Sequence, residues 1–593
     1  MRNFPAQYDL QPDDTLYFCH IPKTAGMTFR TLLEDYFACA DICPATLSNQ
    51  IRNYTPEQLR QYRLFRGHLG FVNIPKLLEG KHLVKVTVLR EPVSRVISHY
   101  EYIRRTPDDP HYEMVGQMTL EEYATAEGPG NLGKNVQVYH IARLLQYDLS
   151  SFEPEQSLAL AQKSLNLCAY AGILERFQES LFLLSYIFGW KPIINSRREN
   201  VAKSKTPISE IAPEVLTRIR ETLWLDRALY DDACDIFQTR FDQMQQDLVQ
   251  RYGDRLSLTA PPAGQVLEFS TLQQLLEWHS QDRYRQQNPP PTETCVYNFC
   301  QPLRGLGWQY RNCSLSDADV AHRWTGPVTT STVDLPIRAA QEDYLAEIQV
   351  SQMRATEPEI LASLELSING HPVPLAIAYS SDATRLYQVQ VPAHLLPPDR
   401  LFAEFMFQVS RVAPIRPLEP DSKDKRLVGV ALSSVQLFPV AREAEFSLLR
   451  SLLKDPLTTA AIAFIRDRLK PTEQIAAPPQ FRIPFPNQVK GYADFLPAPD
   501  SYHWLLLHKG LALPMERLLW QLARCGFRPV FANEVYVAFV RRRPELPALS
   551  YFTPDVRHLY VGRYVNSLRA RLAKPAWSAA AQPAAGNNPL SKD

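Results

Sequence analysis

The stretch from Leu16 to Phe37, LYFCHIPKTAGMTFRTLLEDYF, constrains the fold most. Leu16 to Ile21 is a short apolar run of strand formers. Pro22-Lys23-Thr24-Ala25-Gly26 is a turn, and from Met27 onward Phe29, Leu32, Leu33, Tyr36 and Phe37 recur at helical spacing. A strand that feeds a loop at a helix N-terminus presents free backbone N–H groups and the positive end of a dipole. That arrangement suits a phosphate or sulfate group. Lys23 adds a full positive charge, and Thr24 and Thr28 add hydroxyl donors.

A second unit of the same kind follows. His82 to Leu89, HLVKVTVL, reads as a β-branched strand that runs into Arg90-Glu91-Pro92. Pro92 ends the strand and suits a helix's first turn. Val93 to Arg104 then places Val96, Ile97, Tyr100 and Ile103 on one side of a helix. Arg90 sits at the C-terminal end of its strand, the edge at which open α/β sheets bind ligands. Ser98 lies two helical turns beyond it. Between the units, a short helix is expected at Thr55 to Tyr62. Gly67 and Gly70 then bracket His68, a side chain able to take a proton near neutral pH. A strand at Ala169 to Leu174 and helices at Arg176 to Phe188 and Pro213 to Val249 complete an α/β domain. Within it, Asn195 to Lys205 is a basic loop containing Arg197, Arg198, Lys203 and Lys205.

At 593 residues the chain is too long for one core. The pattern divides it into an α/β domain over 1–250, a helical linker over 251–292, an all-β sandwich or jelly roll over 293–442, a helical connector over 443–475, a small α/β or α+β module over 476–574, and an Ala/Pro/Asn-rich tail over 575–593 that reads as disordered. Short alternating segments and the Asn369-Gly370 turn carry the all-β reading. Its Trp308 and Trp324 suit sugar stacking or, more commonly, a core. The net charge of +1 gives no global electrostatic case for nucleic acid or an anionic membrane. Nine scattered cysteines without zinc-site spacing read as reduced thiols, and no metal is expected. The N-terminus lacks the apolar stretch of a signal peptide, and no run approaches the ~20 apolar residues of a membrane span, so a cytoplasmic location is expected.

The run Phe18 to Thr28 resembles the 5′-phosphosulfate loop of sulfotransferases that use 3′-phosphoadenosine 5′-phosphosulfate (PAPS). Val88 to Tyr100 resembles their 3′-phosphate segment. Arg66-Gly67-His68, together with Ala171 to Phe177, is similar to the carbohydrate branch that contains the heparan sulfate 2-O- and 6-O-sulfotransferases. The resemblance covers roughly residues 14–250. It implies PAPS as co-substrate, held by Pro22, Lys23, Thr24, Ala25, Gly26, Met27 and Thr28 at one end and by Arg90 and Ser98 at the other. A late basic loop that closes over the nucleotide would place Arg197 and Arg198 there. His68 becomes the base that takes the proton of a carbohydrate hydroxyl, and Lys23 the group that stabilises the leaving phosphate. Asn135 and Gln137 are weaker candidates for contact with the acceptor sugar, whereas His20 reads as structural. The loop is not a Walker A motif, because its lysine precedes its only glycine. Two alternatives stand beside this reading: a glycan-binding or scaffold protein with an inactive sulfotransferase-like domain, and another phosphoryl-transfer enzyme. The lack of a Golgi-type anchor, unlike the animal members, favours a bacterial cytoplasmic enzyme. The acceptor, the sulfated position and the oligomeric state are not readable from these residues.

Overall fold

The computed structural model describes residues 5–70, 72–126, 133–194, 208–311, 322–381, 383–415, 424–495, 497–510, 522, 524–557 and 559. The chain packs into two compact units. The first takes in residues 1–351, 355–375 and 389–440, and the second residues 352–354, 376–388 and 441–593.

The first unit begins with a four-stranded parallel sheet in the order β2-β1-β3-β4. Its strands are β1 (Asp14–Cys19), β2 (Leu64–Phe65), β3 (His82–Leu89) and β4 (Tyr170–Ile173). All six residues of β1 and the last four of β3 are buried, as expected of strands covered by helices on both faces. Helices α1 (Gly26–Glu34) and α2 (Pro92–Arg104) follow β1 and β3. The chain leaves β1 toward β2, crosses back to β3 and continues outward to β4. The strand order therefore reverses between β1 and β3, and the crevice at their C-terminal ends is the usual ligand position in such sheets. Further helices are α3 (Val136–Ala142), α4 (Phe177–Phe188), α5 (Pro213–Thr222), α6 (Trp224–Tyr252) and α7 (Phe269–Gln287). The helix expected without interruption from Pro213 is broken at Leu223, which leaves α-helical geometry between α5 and α6. The core of this region runs from Leu16 through the apolar helix α4 to Leu276 on α7.

Antiparallel strands follow: β5 (Cys295–Asn298), β6 (Arg323–Trp324), β7 (Thr330–Pro336), β8 (Tyr344–Ser351), β9 (Glu365–Ile368), β10 (His371–Val373), β11 (Ala376–Ser380), β12 (Arg385–Val391), β13 (Phe402–Gln408), β14 (Ala413–Pro414), β15 (Leu427–Val428) and β16 (Ala431–Pro439). One sheet runs β10-β9-β13-β7, and in another β16 pairs with β8, β5 and β6. Trp308 and Trp324 are each only 2% exposed, so both are core residues and neither offers a face to a sugar. Cys39 is disulfide-bonded, which departs from the expectation of reduced thiols throughout.

The second unit holds β11 and the first part of β12, a helix α8 (Pro456–Arg466) and a five-stranded mixed sheet. The sheet's central strand, Trp504–His508, is buried at every position. Trp504 and Leu506 pack into one core, and Leu505 and Leu507 into another, so the sheet is covered on both faces. The helix expected from Glu443 to Arg468 is divided into three short helices. Most of the helix expected at Pro514 to Arg524, and the tail over 575–593, lie outside the described residues. Among the described residues, no helix is long and apolar enough to cross a membrane.

Candidate functional site

The loop after β1 turns sharply because two non-glycine residues, Lys23 and Ala25, adopt positive φ values of 70° and 61°. L-residues hold this left-handed conformation at a cost of about 1–2 kcal/mol each. Ala25 caps α1 with no side-chain hydrogen bond, so the helix's first N–H groups remain available to a ligand. Gly26 follows from packing. A Cβ there would fall 1.8 Å from His20 Nε2 and 1.9 Å from its Cδ2. Thr24 is fully buried and donates its hydroxyl hydrogen to Ile21 O at 3.0 Å, closing the turn on itself. Thr28 is buried in the first turn of α1, and Met27 is 36% exposed beside it.

The second unit reaches directly into the first. Arg90 donates from Nη1 to the backbone carbonyl of Lys23 at 2.9 Å. The ammonium of Lys23 in turn lies 4.0 Å from the centre of the Tyr102 ring on α2, a cation–π contact. The two loops identified in the sequence are therefore joined at the crevice between β1 and β3. Arg90 is itself held by Gln137, whose amide accepts from Arg90 N at 3.0 Å and donates to Arg90 O at 2.8 Å. Gln137 and Asn135 are 0% and 1% exposed. Both are turned into the protein, Gln137 to Arg90 and Asn135 to Thr222 and Asp226, so neither presents its side chain to a ligand as the sequence reading expected. Ser98 stands part-exposed on α2.

His68 arrives from the end of β2. Gly67 before it has φ +112°, and a Cβ there would lie 2.3 Å from Thr46 O. The His68 backbone is anchored on both sides: its N–H donates to Thr46 O at 2.8 Å, and its carbonyl accepts from Ser48 N and Oγ at 3.1 and 2.9 Å. Its ring keeps solvent access on one side and stacks on His20 on the other, with centroids 4.1 Å apart. His20 stacks in turn on Phe18 at 5.3 Å. His20 is thus the residue that links Gly26 to His68, a role the sequence does not disclose. Nearby, Arg66 is buried and donates to Glu34 at 2.7 Å, tying the end of α1 to the segment that carries His68.

The electrostatics of this cluster favour an anion. Burial, then His68, Arg30, His140 and Lys23, hold His20 well below its ordinary value. Burial against its neighbours, with Arg30 and Lys23, also lowers His68 although part of its ring is exposed. Every charged group acting on these two rings is basic; Arg30 itself is shared with Glu34 at 3.3 Å. Both histidines are consequently neutral near pH 7, and His68 has a nitrogen able to accept a proton. Arg197 and Arg198 lie outside the described residues. No group of three or more His, Cys, Asp or Glu among the described residues is arranged to hold a metal ion.

Residues 6–176 match the Sulfotransferase family. This region of the chain is a sulfotransferase domain. Similar proteins include heparan-sulfate 6-O-sulfotransferase 1 of Homo sapiens, 27% identical over 290 residues that cover 40% of this chain and 69% of the relative. Heparan-sulfate 6-O-sulfotransferase 1-B of Danio rerio is 26% identical over 285 residues, covering 40% of this chain and 68% of the relative. Heparan-sulfate 6-O-sulfotransferase 2 of Homo sapiens is 23% identical over 286 residues, covering 40% and 47% respectively. The sulfotransferase domain thus contains the parallel sheet, both loops and His68, while the antiparallel sheets and the second unit lie beyond the matched residues.

Proposed function

We propose that the sulfotransferase domain transfers the sulfuryl group of PAPS to a hydroxyl of a carbohydrate acceptor. The observation that carries this reading is the junction of the two loops, where Arg90 grips the carbonyl of Lys23 at the reversal of strand order. A ligand with phosphate groups at both ends spans such a junction. Residues Pro22 to Thr28 would take the 5′-phosphosulfate on the open N-terminus of α1, and Arg90 with Ser98 the 3′-phosphate. Neutral His68 would remove the acceptor's hydroxyl proton. The acceptor oxygen would then attack sulfur in line, and the bond from sulfur to the 5′-phosphate oxygen would break, releasing adenosine 3′,5′-bisphosphate. Lys23 and the loop N–H groups would stabilise charge on that departing phosphate. The names of the relatives point to the 6-hydroxyl of a sugar as the position to test first.

Calorimetric titration of the full chain with adenosine 3′,5′-bisphosphate tests the donor site. Lys23→Ala is expected to weaken binding at least tenfold, about 1.4 kcal/mol. His68→Ala is expected to retain binding but lose about 10²–10⁴-fold in transfer from labelled PAPS. Absence of nucleotide binding by the wild-type chain, or competition by ATP with equal affinity, would overturn the assignment.

A further inference from the structure

A second cleft of about 580 Å³ lies within the first unit, lined by α7, β7, β13 and the turn before β10. Its volume falls in the range of small-ligand sites, roughly 300–1,000 Å³. Its lining is unusual for a packing seam. Asp334 on β7 and Glu404 on β13 are directly opposite one another in the antiparallel register. Like charges in such a pair oppose sheet formation. Lys191 and Arg304 neutralise one oxygen of Asp334, Oδ2, at 2.7 and 3.1 Å. The other oxygen, Oδ1, is buried and accepts no hydrogen bond among the described residues, although the side chain is only 5% exposed. Glu404 and Gln273 line the same space, and neither side chain has a hydrogen-bond or ion-pair partner among the described residues. Burial raises the carboxyl of Glu404 above its ordinary value; Lys191 and Arg400 oppose that shift, and Asp334 and Glu277 add to it.

Three polar groups in one cleft thus lack partners: a buried carboxylate oxygen, a half-buried carboxyl and an amide. Of these only the Asp334 oxygen is fully buried, and a buried polar atom is ordinarily satisfied, so it marks the place of a ligand or water in the cleft that part-exposed Glu404 and Gln273 also line. The chemistry narrows the choice. Lys191 and Arg400 in the lining, with Arg304 on Asp334, disfavour a metal cation, and the more numerous carboxylates of Glu277, Asp334, Asp399 and Glu404 disfavour a sulfated or phosphorylated group. Apolar lining is limited to Leu306, Leu401 and Phe402, and Phe402 is covered by the Arg304 guanidinium at 4.3 Å. What remains is a neutral molecule rich in hydroxyls, each able to donate to a carboxylate and accept from an amide.

We propose that this cleft is a saccharide subsite that binds one or two sugar units of a neutral glycan through their hydroxyl groups. It extends the carbohydrate-acceptor reading above and would hold unsulfated chain, because sulfate would meet Glu404 and Asp334. The test is titration of the full chain with neutral hexasaccharides of glucose, galactose, mannose and N-acetylglucosamine, beside a heparin hexasaccharide. At least one neutral probe is expected to bind, with Glu404→Ala and Gln273→Ala each weakening it tenfold or more. Both variants are expected to bind adenosine 3′,5′-bisphosphate as the wild type does. Glu404→Ala also removes one of two opposed carboxylates, so its melting temperature should not fall, which separates lost binding from lost folding. Equal binding by wild type and variants would assign the sugar elsewhere and overturn the proposal, as would failure of every neutral probe to bind, which would leave a water-filled seam. Failure of nucleotide binding with the neutral-sugar effect intact would remove the donor reading alone.

Discussion

At the residue scale, the loop after β1 is built around one contact, between Gly26 and the ring of His20. The ring cannot swing away readily, because Phe18 and His68 hold it on both sides. Gly26→Ala therefore forces either the loop or the histidine stack to move. Overpacking of this kind costs about 1–3 kcal/mol, and nucleotide affinity is expected to fall at least tenfold because the N–H groups of the loop move with it. The double variant Gly26→Ala with His20→Ala removes the obstruction and is expected to recover nucleotide affinity, measured by the same calorimetry. Wild-type affinity in the single variant would show that the contact does not shape the loop. The two strand–loop–helix units that carry Lys23, Thr24, Gly26 and Arg90 were legible in the sequence because each is a short local pattern. His20 was not, since its value depends on two positive-φ residues folding the loop back over its ring.

Among the elements, α3 shows how one helix orients a loop it does not contain. Its own N-cap, Asn135, is left-handed and offers no side-chain cap. Asp226 in the first turn of α6 supplies one instead, accepting from Val138 N at 2.9 Å and Gln137 N at 3.3 Å. Asn135 Oδ1 returns the bond by accepting from Asp226 N at 3.1 Å. This reciprocal cap fixes Gln137, and Gln137 fixes Arg90. The unbroken helix expected from Pro213 would have hidden the arrangement; the break at Leu223 brings Asp226 to the start of α6. Polar side chains such as Asn135 and Gln137 carry no sequence mark that separates a tertiary bracket from a ligand contact. Burial raises Asp226 from 3.8 to about 6, against the opposing pull of Arg95 and its hydrogen bonds. Because the folded value exceeds the unfolded one, the folded chain holds this proton more tightly between these two values. The contribution of Asp226 to stability is greatest below pH 4 and declines as pH rises toward about 6. Asp226→Asn removes that component, so the wild-type minus variant stability difference should fall by on the order of 2–3 kcal/mol between pH 4 and pH 7. Denaturant titrations at several pH values measure it, and a pH-independent difference would contradict the assignment.

Over the whole molecule, the parallel sheet of the first unit is not packed independently of the antiparallel strands that follow it. Arg323 on β6 is fully buried and pairs with Asp35 just after α1 at 2.5 Å, across 288 positions of sequence. Around that pair, Leu303 N donates to Asp35 O at 2.7 Å, Cys39 N to Cys300 O at 2.8 Å, and Arg311 Nη1 to Phe37 O at 2.9 Å. The end of α1, whose first turn opens onto the anion loop, is thereby seated on strands outside the sulfotransferase family match. Composition shifts and turn signals made the change from mixed α/β to antiparallel structure legible near residue 293, but no local pattern could match Arg323 to Asp35. Removing one side of a buried pair destabilises by up to about 3–5 kcal/mol. Arg323→Met is therefore expected to lower stability by up to that amount, and Asp35→Leu combined with Arg323→Met to recover part of it, because the desolvated carboxylate is removed as well. If the two regions unfold as one body, nucleotide binding and the tryptophan fluorescence of Trp308 and Trp324 will be lost at the same denaturant concentration, in the wild type and at a lower midpoint in Arg323→Met. Two separated transitions, with nucleotide binding unmoved by Arg323→Met, would mean that the antiparallel strands are carried by the sulfotransferase domain without supporting it.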